Sequence, residues 1–389
     1  MQHPNALRLE HHRASARLIR GHLAANPEFQ PRYDAVKRII HLFGRPAFYE
    51  ISDRCNLTCE GCYFFDPAVF QGEPHDRTAF DAGWDGFLAR EAARGVTMPY
   101  FLGAEPALEE RRLIAAARHF RRGNIGTNGT VRLHPDIPFR ISISAWAADA
   151  GDDARLRGGS AFRKALRLYQ GDRRAIVLFT VNRDTVAQAR AVAAMCRDHG
   201  LPLTFSLWSP TSSLLSRLAT FTGNDDAFFR ISTPDSSLIF SDADLMRVRD
   251  ALDTLIDDFP DTVVYSRTYN RWSTAPGPLY ALDPDSGIAE TCGSRIIGGF
   301  RYHGLDLQPK AVKCCTPAVE CRDCRLYSGG WSSQFTPNAA QVATAEAFGA
   351  WLDMILTVGR IFLRPETDPE AFVPAPAGAS GPLHQECLT

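Results

Sequence analysis

Residues 48–65 read FYEISDRCNLTCEGCYFF, and the three thiols in that stretch organise the reading of the whole chain. Cys55, Cys59 and Cys62 are spaced C-x3-C-x2-C, directly after a strand-like run and immediately before Tyr63. Cysteines that close together on one loop can converge on a single metal centre. A structural zinc closes with four protein ligands, so three thiols suggest a centre with one position left open. A cuboidal iron–sulfur cluster held by only three thiolates has such an open iron, where a substrate or cofactor can bind. A zinc loop completed by a distant ligand, or three reduced structural thiols, is the plainer alternative.

Outward from this loop, strands and helices alternate. Residues 47–52 form a strand leading into the cysteines, and 77–94 a helix with Phe80, Trp84, Phe87 and Leu88 on one side. A strand over 97–102 ends in Gly103-Ala104-Glu105-Pro106, and a helix follows over 107–122. Further strands are expected near 125–127, 139–145 (FRISISA, period two), 175–181 and 201–208, with helices over 161–170 and 185–199. Six strands mostly separated by helices argue for a parallel α/β arrangement with right-handed crossovers. Periodicity leaves open whether the sheet is flat or a curved partial barrel. Ligands bind at the carboxyl ends of the strands in both cases, and the cysteine loop, the Gly103 turn and Asn182 all sit at such ends.

Beyond the strands the signals thin out. Residues 5–44 read as two amphipathic helices that stop at Gly44-Arg45-Pro46. Residues 211–240 are rich in Ser and Thr and periodic in nothing, which predicts a connector or lid. A helix capped by Ser241 is expected over 242–259, a short strand over 262–266, and a final helix over 339–363. The tail from Arg364, with its Pro and Ala, reads as unfolded.

Composition excludes several classes of function. In 389 residues, 45% are hydrophobic and 22% charged, the balance of an ordinary globular protein with ample core. A formal net charge of −1 supplies no basic field to recruit nucleic acid. No apolar run is long enough for a membrane span, and the N-terminus lacks the apolar core of a secretory signal. Ten cysteines without an export signal point to metal or redox chemistry in a reducing, cytoplasmic compartment. Three stand in the first group and five in a second: Cys292, Cys314, Cys315, Cys321 and Cys324. Cys196 and Cys387 stand apart and read as incidental.

The C-x3-C-x2-C spacing followed by Tyr63 resembles the radical S-adenosylmethionine (SAM) enzymes. In that family the second strand ends in a Gly-Gly-Glu-Pro-like turn that meets the methionine moiety of SAM. Here the turn reads Gly103-Ala104-Glu105-Pro106, with Ala104 in place of the second glycine. The resemblance covers roughly residues 46–330. It implies a partial (β/α)6 TIM-like barrel, a SAM-binding [4Fe–4S] cluster on Cys55, Cys59 and Cys62, and an electron donor such as flavodoxin or ferredoxin. It further implies that Ser144 and Arg157 reach the ribose or carboxylate of SAM, with Ser142 and Arg155 equally reachable by a slip of two. Asn182 is implied at the ribose hydroxyls, with a capping role in the next helix as its alternative.

The second cysteine group resembles the auxiliary-cluster extension of the SPASM and twitch type, in which a cysteine, a small hairpin and a second cysteine open a cluster site. The segment FRYHGLDLQPKAVKCC takes the hairpin's place. Where the full SPASM pattern continues with further cysteines, the stretch after Cys324, RLYSGGWSSQF, has none, and Ser328 stands near one such position. One auxiliary [4Fe–4S] cluster is therefore implied, with Cys314 or Cys315 spare; a four-cysteine structural zinc is the alternative. The implied organisation is an N-terminal helical extension (1–45), the barrel (46–210), a connector or lid (211–290), the auxiliary-cluster domain (291–335), a helix (336–363) and a tail (364–389). The implied function is reductive cleavage of SAM and oxidation of an organic substrate. A small metabolite is favoured over a ribosomal peptide, because the residues before the barrel look too short for a leader-binding domain. A non-catalytic metal or electron carrier, and a nucleic-acid-modifying radical enzyme, are the competing classes.

Overall fold

The computed structural model describes residues 4–66, 69, 76–220, 229–231, 238–296 and 300–372. The expected alternation is present as β1 (Pro46–Glu50), β2 (Met98–Leu102), β3 (Asn124–Thr127), β4 (Arg140–Ala145), β5 (Ala175–Val181) and β6 (Leu203–Leu207). These pair in parallel in the order β6-β5-β4-β3-β2-β1, and a seventh strand, β7 (Arg301–His303), adds in parallel beside β1. β6 and β7 are the two edges, so the α/β sheet is not closed. Successive side chains on a strand point to opposite faces. Phe48, Tyr100, Gly126, Ser142, Thr180 and Ser206, one from each of the first six strands, border a common cavity. Their neighbours Tyr49, Ile143, Phe179 and Phe205 join the main core with helix side chains such as Phe87, Leu166 and Val192.

Local chemistry explains the helix ends. Asp76 accepts from Ala79 N at 3.0 Å to start the helix Arg77–Ala93, and Ser241 with Asp244 forms a capping box for Asp242–Asp258. The helix Ala345–Phe362 packs against Gln30–Leu42, with Phe43 meeting Phe362 edge to face. The buried Arg140 of β4 donates to the last carbonyls of that helix, Arg360 O at 3.0 Å and Ile361 O at 2.9 Å. Cys196 is a core residue, and burial pushes its thiol up. Cys387 lies outside the described residues.

Several expectations change. Ser212–Ala219 is a helix capped by Thr211 within the stretch read as aperiodic, and the strand expected over 262–266 reduces to one bridge, Leu203 to Val263. The helices Ala150–Arg157, Arg267–Ser273 and Tyr327–Ser333 are too short and too polar to show an apolar period. Within the stretch that reads as tail, Asp368 is fully buried and accepts from Arg122 Nε at 2.6 Å. Among the described residues no helix is long and apolar enough to cross a membrane.

β7 is the first arm of the expected hairpin, closed by Gly304 N to Gln308 O (3.1 Å) and Lys310 N to Tyr302 O (2.8 Å). Two contacts clamp it to β1: Tyr302 Oη and Lys310 Nζ each donate to the buried Glu50 carboxylate at 2.8 Å. His303 packs against the rings of Tyr49 and Phe87, and burial holds its imidazole below the ordinary value, with Glu91 pulling the other way. The unfolded histidine titrates near 6.5. Below that pH the unfolded chain binds the proton more readily than the folded one, so stability falls as pH drops. His303→Phe should lose less stability than wild type between pH 7.5 and 5.5 in urea denaturation. Equal losses in the two proteins would show that His303 carries none of the pH dependence.

Candidate active site

The cysteine loop leaves β1 and is held by its own backbone. Thr58 N donates to Arg157 O (2.9 Å), Glu60 N to Leu156 O (2.8 Å) and Gly61 N to Arg230 O (2.9 Å). The Gly103 turn is stitched to the same loop, with Ala104 N to Ser52 O at 3.0 Å and Glu105 N to Arg54 O at 2.8 Å. Gly103 has φ 133°, and a Cβ there would stand 2.7 Å from Ser52 O. Only glycine fits so close a backbone crossing. Two strand ends are thus locked together at a single rim.

The cavity behind that rim has a volume of about 300 Å³ and is bordered by Cys55, Cys59, Cys62, Tyr63, Gly103, Ala104, Glu105, Ser144 and Arg157. Ser142 borders it as well, two residues before Ser144 on the same face of β4. Arg155 does not. It is exposed and pairs with Asp152 and Asp184, whereas Arg157 is 1% exposed and donates to Ser144 O at 2.7 Å. Arg157 Nε has no hydrogen-bond partner among the described residues, and Asp153 Oδ1 stands 3.8 Å from Arg157 Nη1.

Glu105 borders the cavity, but its carboxylate is engaged within the protein. It accepts from Thr127 Oγ1 (2.6 Å), Asn128 N (2.7 Å) and Ala107 N (2.9 Å), and burial raises its pKa. Pro106 begins the turn Pro106–Glu109 and is not on the cavity wall. Asn182 also stands apart: fully buried, it accepts from Asp184 N (3.0 Å) and Thr185 N (3.1 Å), the capping arrangement.

The five thiols of the second group, Cys292, Cys314, Cys315, Cys321 and Cys324, ring a narrow apolar cavity together with Tyr280 and Gly329. Cys315 borders this cavity and the large one. Contact with Cys314 and with nearby hydroxyls pulls the Cys315 thiol down, and Cys314 is raised in return. Burial pushes Cys55 and Cys292 up to about 11 and Cys62 up to about 12. Among the described residues no three Cys, His, Asp or Glu side chains converge on a single ion. A cubane spreads its thiolates over separate irons.

Sequence reasoning passed over Tyr100, Tyr327, Trp146 and Trp208, which form much of the remaining wall. A signal was present for the polar part: Ser142, Ser144, Thr180 and Ser206 interrupt otherwise apolar strands on one face. Apart from Glu105 and Arg157, no Asp, Glu, Lys, Arg or His among the described residues borders the cavity.

No family model matches the sequence, and no curated protein matches it. Solved structures similar to this chain include Streptococcus suis SuiB bound to S-adenosylmethionine, at 13% identity and TM-score 0.46 over 67% of this chain and 58% of that chain. SuiB bound to precursor peptide SuiA gives 16% identity and TM-score 0.41 over 61% and 50%. Native anSMEcpe with bound AdoMet and Kp18Cys peptide gives 14% and 0.44 over 80% and 83%. The chain spans about half the length of the SuiB chains it matches.

Proposed function

We propose that this chain is a radical SAM enzyme that oxidises an organic substrate, with a second iron–sulfur cluster at its other cysteine group. The observation that carries the reading is the meeting on one cavity of Cys55, Cys59, Cys62, the Gly103 turn, Arg157 and, from the second group, Cys315. The donor sets fit such clusters. Both are built of thiols without disulfides, and the half-buried Cys55 and Cys62, their thiols pushed up by desolvation, favour the neutral form until a cation lies beside them. Cys55, Cys59 and Cys62 would hold a [4Fe–4S] cluster, which when bound would supply the electron for reductive cleavage of SAM and so the means of taking hydrogen from a substrate.

The chain's own part is placement and exclusion. Arg157, held by Ser144 O with Asp153 Oδ1 3.8 Å away, offers to a carboxylate its Nε, which has no hydrogen-bond partner among the described residues. Ala104, small and on the wall, leaves room for the methionine moiety. Phe48, Tyr100, Trp146 and Trp208 exclude water from the reacting space. Cys292, Cys321 and Cys324, with Cys314 or Cys315, would hold the second cluster as an electron acceptor. The largely uncharged wall suits an uncharged reacting group, whether on a small metabolite or on a peptide side chain.

The decisive test is anaerobic reconstitution and SAM turnover with deuterated candidates of both kinds, following deuterium into 5′-deoxyadenosine. No 5′-deoxyadenosine under dithionite would sink the proposal. Ala104→Leu fills the space beside the turn and should weaken SAM binding about tenfold or more, roughly 1.4 kcal/mol, at unchanged iron content. Unaltered affinity in equilibrium binding would remove the turn from the site.

A further inference from the structure

Ser328 stands near a position where the resemblance would place a further cysteine, and its hydroxyl faces the second cysteine group. Its Oγ lies 3.2 Å from Cys315 Sγ. Ser294 Oγ lies 3.3 Å from the same sulfur, and Thr316 Oγ1 3.8 Å. Three hydroxyls therefore surround one thiol, which is itself buried. A second cluster of polar atoms stands alongside. The point that a Cβ on Gly329 would occupy is 3.2 Å from Cys292 Sγ, 3.5 Å from Tyr280 Oη and 3.6 Å from Ser294 Oγ. Tyr280 Oη is buried beside Cys292.

Resting on the two-cluster reading above, we infer that Cys315 is the ligand of the pair Cys314–Cys315 and that its sulfur, which as a thiol donates to Ser294 Oγ, accepts as a thiolate ligand from the hydroxyls of Ser294 and Ser328, which raises the reduction potential of the second cluster. The physics is direct. Reduction adds one electron, and the added negative charge is shared by the sulfurs. An O–H dipole aimed at a sulfur stabilises the reduced form more than the oxidised one, and hydrogen bonds to sulfur are among the determinants of cluster potential. Burial strengthens each such bond by excluding water. Cys315 is also the cysteine of the second group that borders the large cavity, so the tuned sulfur is the one nearest to substrate. Ser294 and Ser328 are positioning residues here, since both act through the sulfur of Cys315.

The test is an EPR-monitored redox titration of the reconstituted full chain, with the first cluster's signal identified by its response to SAM. Ser328→Ala and Ser294→Ala should each make reduction of the second cluster about tenfold less favourable, a fall of about 59 mV for a one-electron couple. Ser328→Thr, which keeps the hydroxyl, should restore the wild-type potential, an outcome that loss of packing alone does not give. In wild type, exchange into D2O should shift the Fe–S(Cys) stretching bands, a readout that needs no variant. A second cluster present at full iron content, with a potential unmoved by both alanine variants or bands unmoved by D2O, overturns this inference and leaves the proposed function standing. A wild type holding only about four irons, one cubane, with no second signal overturns the two-cluster reading itself, and the inference with it.

Discussion

Replacing Cys55, Cys59 and Cys62 together with alanine should abolish reductive SAM cleavage while leaving the protein folded. The fold survives because the loop is pinned by backbone bonds to Leu156, Arg157 and Arg230, and none of these involves a thiol. Reconstituted wild type should hold about eight irons, four per cubane, and the triple variant about half of that. The remaining iron should reside at the second cysteine group and give no SAM-sensitive signal. Formation of 5′-deoxyadenosine by the triple variant at the wild-type rate would overturn the central reading. Tightly bound zinc with only about four irons in the wild type would instead overturn the second cluster alone, since a zinc site shows no visible charge-transfer absorption.

Asp153→Ala should cost about 3–5 kcal/mol of stability, the range for removing one partner of a buried ion pair. Asp153 and Arg157 are both about 1% exposed, and the variant leaves the guanidinium with one fixed acceptor, Ser144 O. The same carboxylate accepts from Ala161 N (2.7 Å) and Phe162 N (2.9 Å), so the helix Phe162–Tyr169 loses its cap as well. Asp153→Asn retains an oxygen for those two amides and should lose distinctly less in urea denaturation. The double variant Asp153→Ala with Arg157→Met removes the stranded charge and should recover part of the loss. A single alanine variant within about 0.5 kcal/mol of wild type, the usual limit for an inconsequential surface change, would show that the pair is not holding this end of the site.

Much of the fold was legible in order along the chain. The apolar runs that became β1 to β6 are bounded by Gly, Pro and charged residues, and their β-rich composition and spacing from helices are local properties. The cysteine spacing and the 103–106 turn were equally legible, because a loop of three thiols and a sharp strand end depend on residues that are neighbours in sequence. The polar residues of the cavity showed faintly, as hydroxyls at alternate positions in strands that are otherwise apolar.

What the tertiary structure decided has a common cause: partners far apart in sequence, whose meeting depends on how the elements stack. Arg155 and Arg157 look alike in sequence, and only the tertiary structure turns Arg157 inward to Ser144 O of β4 while Arg155 pairs with Asp152 and Asp184. Asn182, fully buried just past β5, accepts from Asp184 N and Thr185 N. Three residues, 301–303, are too few to read as a strand alone, yet they complete the sheet because β1 offers an unpaired edge and Glu50 draws in Tyr302 and Lys310. Asp368 is buried from a tail whose Pro and Ala read as unfolded, because Arg122 lies some 246 residues away in sequence and within hydrogen-bond reach in space. Local sterics and backbone hydrogen bonding determine the elements of this chain; which side chains share the cavity, and that Cys315 faces both cysteine-lined spaces, is determined only when those elements close on one another.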